Sequence, residues 1–263
     1  MLAARYRLLI LLATLVACSH PPALPDRYQA LLQAGEPQQI LREYSRPELV
    51  RQAPALFPYH ASFGKLNLYC DEPFPPERGA ALLAEVKRRL SASPLYHPED
   101  THSAFVCNER WREEYYLNGA GKLGGLNYFP TARHVFLGPA RIPDDVLLSP
   151  AGNPIASPRT LTYYVTHEFT HTLVGMAVAE RTAPTPVWLR EGYPDCVALG
   201  PGYTHAQALV AYRQRDPRVH GTMAEDYLRY GVMVAYLLEH GHTIQALLAN
   251  PPDEATVINE AGL

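Results

Sequence analysis

Apolar positions along this 263-residue chain fall into three patterns, and each predicts a different kind of element. The first is a continuous run from Leu8 to Ala17, behind Arg5 and Arg7. It is shorter than the roughly 20 residues that a bilayer-spanning helix needs, so residues 1–17 read as a leader outside the fold. The second pattern is the short extended run, at Lys65–Cys70, Ser103–Cys107 and Arg133–Gly138, which predicts three strands. The third is helical spacing. Leu82, Leu83, Val86 and Leu90 place a helix over Glu77–Ser91, stopped by Pro94, and Trp111–Tyr116 predicts a shorter one.

Residues 139–157, with Pro139, Pro143, Pro150 and Pro154, read as an irregular loop. Ser157-Pro158 then offers an N-cap and a proline at the first helical position, opening a helix to about Glu180. Leu161, Tyr164, Val165, Phe169 and Leu173 give that helix a broad apolar surface, so it belongs in the core. Further helices are expected near Thr204–Gln214, Asp226–His240, Thr243–Ala249 and Asp253–Glu260. Weaker patterns at Asp26–Ala34 and Pro37–Tyr44 either pack on the domain or space it from its attachment. Gly119, Gly121, Gly124 and Gly125 read as a bend, because no buried strand precedes them and no clear helix follows, as a phosphate loop requires. The fold class is α+β. Residues 18–60 form a tether with short helices, and residues 61–263 form one domain. Within it, a lobe with a small mixed or antiparallel sheet (61–157) precedes a helical lobe (158–263).

The leader ends Leu15-Val16-Ala17-Cys18, which resembles the bacterial lipobox. That resemblance implies cleavage before Cys18 and a lipid anchor on it, so the membrane is an expected partner. Ser19 at the next position is similar to an outer-membrane sorting signal, with the domain on the periplasmic side. The other reading is an ordinary secretory signal; both place the protein outside the cytoplasm. Export makes the remaining cysteines matter. Cys70 and Cys107 end neighbouring predicted strands and are the preferred disulfide, while Cys196 reads as a small buried hydrophobe. Removing Arg5 and Arg7 takes the formal net charge from −3 to −5 and leaves no basic run, which argues against nucleic acid as a partner.

Candidate chemistry lies inside the long helix, in Thr166-His167-Glu168-Phe169-Thr170-His171-Thr172. Helical spacing puts His167 and His171 on one face, where both imidazoles can bind one metal, with Glu168 able to reach a water held there. The segment Trp188-Leu189-Arg190-Glu191-Gly192-Tyr193-Pro194-Asp195 follows. Together the two motifs resemble the gluzincin metallopeptidases, in particular bacterial peptidase MA-like domains. This implies a zincin-like fold, Zn2+ as cofactor, Glu191 as third ligand and a peptide or protein substrate. It covers about 30 residues; the rest matches only in general character. Pro194 suits a helix beginning near Leu189 or Arg190, where first-turn N–H groups lack partners anyway.

Asp195, one turn after Glu191, is a candidate acceptor for a ligating histidine, with His167 the expected partner; the alternatives are a surface carboxylate or an aspzincin-like ligand. Glu168 is the expected general base. The resemblance also implies a tyrosine or histidine that steadies the oxyanion. Tyr227 and Tyr230 are the candidates, with His205 and His220 outside possibilities and Tyr236 assigned to the core. The resemblance also implies a sheet edge beside the active helix that holds extended substrate, for which Arg133–Gly138 is the candidate. A different class remains open, an envelope binding or assembly lipoprotein that keeps the fold without turnover.

Overall fold

The computed structural model describes residues 30–31, 33–119, 124–149, 151–155, 159–179, 184–214 and 224–263. The leader with Cys18 and Ser19, the tether, Gly121, Ser157, Pro158 and His220 lie outside these residues. Two helices come first, α1 (Pro37–Glu43) and α2 (Arg46–Leu56). A hairpin follows, β1 (Tyr59–Phe63) and β2 (Leu66–Cys70), turned at Gly64 with φ +63°. Then come α3 (Pro76–Leu90), β3 (His102–Val106), α4 (Arg110–Tyr116), β4 (Gly125–Asn127) and β5 (His134–Leu137). A two-residue ribbon, β6 (Ala140–Arg141) with β7 (Val146–Leu147), leads into the helical half. That half contains α5 (Leu161–Ala177), α6 (Val187–Leu199), α7 (His205–Arg213), α8 (Ala224–Glu239), α9 (Ile244–Ala249) and α10 (Glu254–Glu260). Among the described residues no helix is long and apolar enough to cross a membrane.

Five strands form one mixed sheet in the order β1-β2-β3-β5-β4. The middle three are parallel and both edges pair antiparallel. All five residues of β3 are buried, as expected of a central strand covered on both faces. Alternation sorts the side chains. Leu66, Leu68, Ala104, Val106, Val135 and Leu137 face α3 and α5, whereas Phe105 and Phe136 face the other way. On that back face Tyr69, Phe105, Phe136 and Tyr116 stack in succession, with centroids 4.8, 4.8 and 4.2 Å apart.

Helices α1 and α2 close the back face. Ile40, Leu49, Val50 and Ala53 are fully or almost fully buried there, and Phe57 packs edge-on to Phe105. Arg112 from α4 donates to the Leu56 carbonyl at 2.5 Å. These helices therefore pack on the domain rather than space it. Helix α2 escapes the helical-spacing reading because Pro47 and Pro54 interrupt it; Pro47 falls in the first turn, and Pro54 lies near its end.

Strand register overturns the expected disulfide. Cys70 pairs with Val106, so Cys107 is one residue out of step and points to the opposite face. Cys70 lies in the front core and Cys107 in the back core; both are buried, free thiols. Arg133–Gly138 is corrected as well. β5 is interior, bonded to β3 on one side and β4 on the other, and β4 is the edge.

Candidate metal centre

Helix α5 starts at Thr160, whose hydroxyl accepts from the Tyr163 N–H. Ser157 lies outside the described residues and is not needed for this cap. Leu161, Val165, Phe169 and Leu173 fix one face of the helix in the front core. Its interior threonines are satisfied locally: Thr166 donates to the Thr162 carbonyl and Thr170 to the Thr166 carbonyl, both at 2.8 Å. The adjacent face carries His167, Glu168 and His171, and the first two are buried.

Glu191 and Asp195 come from α6, held by buried Trp188 and Leu189. This helix begins at Val187, earlier than expected, so Pro194 lies within it rather than in its first turn. Gly192 explains how α6 approaches α8 so closely. A Cβ there would lie 2.8 Å from the Tyr230 carbonyl carbon and 2.8 Å from a Val234 methyl.

The two helices bring three donors together. His167 Nε2 and His171 Nε2 are 3.1 Å apart, and Glu191 Oε2 stands 3.3 Å from His171 Nε2 and 3.8 Å from His167 Nε2. A tetrahedral zinc site with bonds of 2.0–2.1 Å sets its ligands about 3.3–3.4 Å apart, so the spacing fits that ion. Electrostatics point the same way. Burial disfavours charge on His167, but Asp195 and Glu191 outweigh it and lift the imidazole to about 9. Burial disfavours charge on Glu191 too, yet hydrogen bonds with His167 and His171 hold its carboxyl far below the usual carboxylate range. Both shifts describe a pocket that favours positive charge, which a divalent cation would supply.

Asp195 is buried, and its Oδ1 faces His167 Nδ1 at 3.3 Å. Accepting from Nδ1–H leaves the Nε2 lone pair free for a metal. Glu168 lies beside the ligands without joining them; burial raises its carboxyl, with His171 and His167 opposing. That is the tendency wanted of a proton acceptor near neutral pH.

The two tyrosine candidates separate. Tyr227 stands with its ring 6.3 Å from that of His167 and its phenol in hydrogen-bonding reach of Glu191. Burial, then the nearby carboxylates, raise its pKa, which keeps the phenol protonated as a donor. Tyr230 points into the hydrophobic core, where its ring lies under Arg229. His205 is held by the Ala261 carbonyl at 3.0 Å at the start of α7 and takes no part among the ligands.

Three residues of the site escaped the sequence reading. Asn127 on β4 donates from Nδ2 to the Glu168 carbonyl at 2.9 Å and to the Thr172 hydroxyl, pinning the edge strand to α5. Tyr163 donates to Asp195 Oδ1, and Arg159 donates to Asp195 Oδ2 at 2.8 Å. Tyr163 was visible in principle, one helical turn before His167. The glycines also change meaning. Gly125 opens the edge strand β4 and Gly124 directly precedes it, and their missing side chains make room for Glu168 and Tyr164 respectively.

Neither a scan against models of protein families nor a search of curated proteins finds a match for this chain.

Proposed function

We propose that this protein is a zinc-dependent peptidase of the gluzincin type, with a zincin-like fold. The observation that carries the reading is the convergence of His167, His171 and Glu191, with Asp195 behind His167 and Glu168 alongside. Zn2+ held by the three ligands would keep a position for water and polarise a substrate carbonyl.

The chain's own residues supply the remaining work. Glu168 accepts the proton of the attacking water and returns it to the departing amine nitrogen. Tyr227 donates its phenolic hydrogen to the oxyanion that develops on the scissile carbonyl. Strand β4 offers the substrate a backbone. The Tyr128 N–H and Gly124 carbonyl bond to β5, so alternation turns the main-chain groups of Gly125 and Asn127 outward. An extended peptide can pair with them as an added strand, in reach of Glu168. The Leu15-Val16-Ala17-Cys18 segment supports a lipid anchor on Cys18 that holds the domain at the periplasmic face of an outer membrane.

The test is metal analysis followed by cleavage of mixed peptides with and without chelator, comparing wild type with Glu168→Gln. Stoichiometric zinc in both and hydrolysis only in zinc-loaded wild type is the expected result. A protein without zinc, or equal cleavage by the two forms, overturns the reading.

A further inference from the structure

Asp195 is the most enclosed charge of the site, at 2 % exposure, and a buried carboxylate is stable only if paired. Its pairing comes from outside the two motifs. Arg159, 9 % exposed, donates to Oδ2 at 2.8 Å, while the Tyr163 hydroxyl donates to Oδ1, the oxygen that also faces His167 Nδ1. The guanidinium lies 5.2 Å from the Tyr163 ring centroid and 6.0 Å from that of Tyr227. One cation therefore meets groups from α5, α6 and α8, the three helices that surround the metal ligands.

The location is telling. Arg159 sits immediately before the Thr160 N-cap, at the positive end of the α5 dipole, where a cation is disfavoured. A merely solvated or helix-stabilising role would put an acidic residue there. Charge balance gives the cation a reason to be present. Glu168, Glu191 and Asp195 bring three carboxylates; Arg190 stands 3.1 Å from Glu191 Oε1, and Arg159 is the guanidinium that meets Asp195. Without Arg159, Asp195 Oδ2 loses the donor that fixes the rotation of its carboxylate. The acceptor facing His167 Nδ1 would then be free to turn, and the tautomer it selects would be held less firmly.

We propose that Arg159 and Tyr163 are positioning residues that fix the orientation of the Asp195 carboxylate, and through it hold His167 in its metal-binding tautomer. The proposal rests on the metal-site reading above.

The experiment measures zinc affinity by competition with a chromophoric chelator, and the visible spectrum of the Co2+-substituted protein, for wild type and variants. Arg159→Met is expected to weaken zinc about ten- to a hundred-fold and to shift the Co2+ bands, with Arg159→Lys recovering part of the loss. In an Asp195→Asn background Arg159→Met should add little further loss, since it acts through that carboxylate. Affinity within about twofold of wild type in folded Arg159→Met overturns the proposal, because a purely structural ion pair would change stability alone. Should Arg159→Met not fold, Tyr163→Phe decides: it removes a donor to Oδ1 without changing charge, so several-fold weaker zinc supports the proposal and unchanged affinity overturns it. Wild type that binds no zinc sinks the metal-site reading itself, and this inference with it.

Discussion

Gly125 lies directly against Glu168: a Cβ at this edge-strand position would stand 2.6 Å from Glu168 Cγ and 2.7 Å from its Oε1. The side chain of Glu168 can swing away from such a Cβ, whereas the strand, tied to β5 and to α5 through Asn127, has less freedom. Gly125→Ala should therefore displace the carboxylate without touching the ligands. Zinc content should stay stoichiometric while kcat/KM for peptide cleavage falls roughly a hundred-fold, the scale set by a displacement of about 1 Å in a catalytic group. Full activity in the alanine variant would show that Glu168 tolerates relocation and is not the base.

The separation of Tyr227 from Tyr230 yields a paired comparison. Tyr227→Phe should lower kcat about a hundred- to a thousand-fold at unchanged zinc occupancy, the scale for losing one oxyanion donor. Tyr230→Phe keeps the ring that packs in the core and should leave kcat within about twofold. Steady-state kinetics on both variants check the assignment, and a reversed order would exchange the roles.

Gly192 governs how closely α6 approaches α8. Backbone atoms of Tyr230 occupy the space a Cβ would need, and backbone cannot step aside as a side-chain tip can. Gly192→Ala should cost about 1–3 kcal/mol by overpacking, seen as a lower urea midpoint. It should also weaken zinc binding, since the neighbouring residue is Glu191, one of the three proposed ligands. A variant as stable as wild type would mean that the two helices separate freely.

His102, the first residue of β3, is fully buried, packs against Phe169, and finds no partner for either ring nitrogen among the described residues. Burial lowers its pKa to about 4, with Asp100 and Arg133 exerting smaller, opposing effects. The native state thus binds fewer protons than the unfolded chain. The resulting stability is complete above the unfolded value near 6.5 and drains away as pH falls towards about 4. The size of that drain is about 3 kcal/mol. His102→Leu should flatten the acid limb, read as urea midpoints at about pH 7 and about pH 4.5. An acid limb as steep as in wild type would assign the loss to other groups.

Much of the metal centre was legible because its spacing is internal to helices. His167 and His171 share a face whatever α5 packs against, and the same one-turn logic joins Glu191 to Asp195. Where contacts run between distant segments, local pattern was silent. Arg159 meets Asp195 across 36 positions, and Asn127 reaches α5 across 41. Strand β4 has three residues, too few for alternation to register, and Gly124 and Gly125 at its start look like any bend until Tyr164 and Glu168 fill the space beside them. The Cys70–Cys107 expectation failed on parity: both residues do end adjacent strands, but one step of register turns a neighbour into a residue on the other face.

The covering of the sheet by α1 and α2 bears on how the domain could carry a load. The chain enters the described structure on the back face, and the sheet stands between those helices and the ligand-bearing pair α5 and α6. Tension applied through the upstream residues would fall first on α1, α2 and the Phe57–Phe105 contact. The three candidate donors sit on the far side of five hydrogen-bonded strands, so a pull on α1 and α2 reaches them only through the sheet.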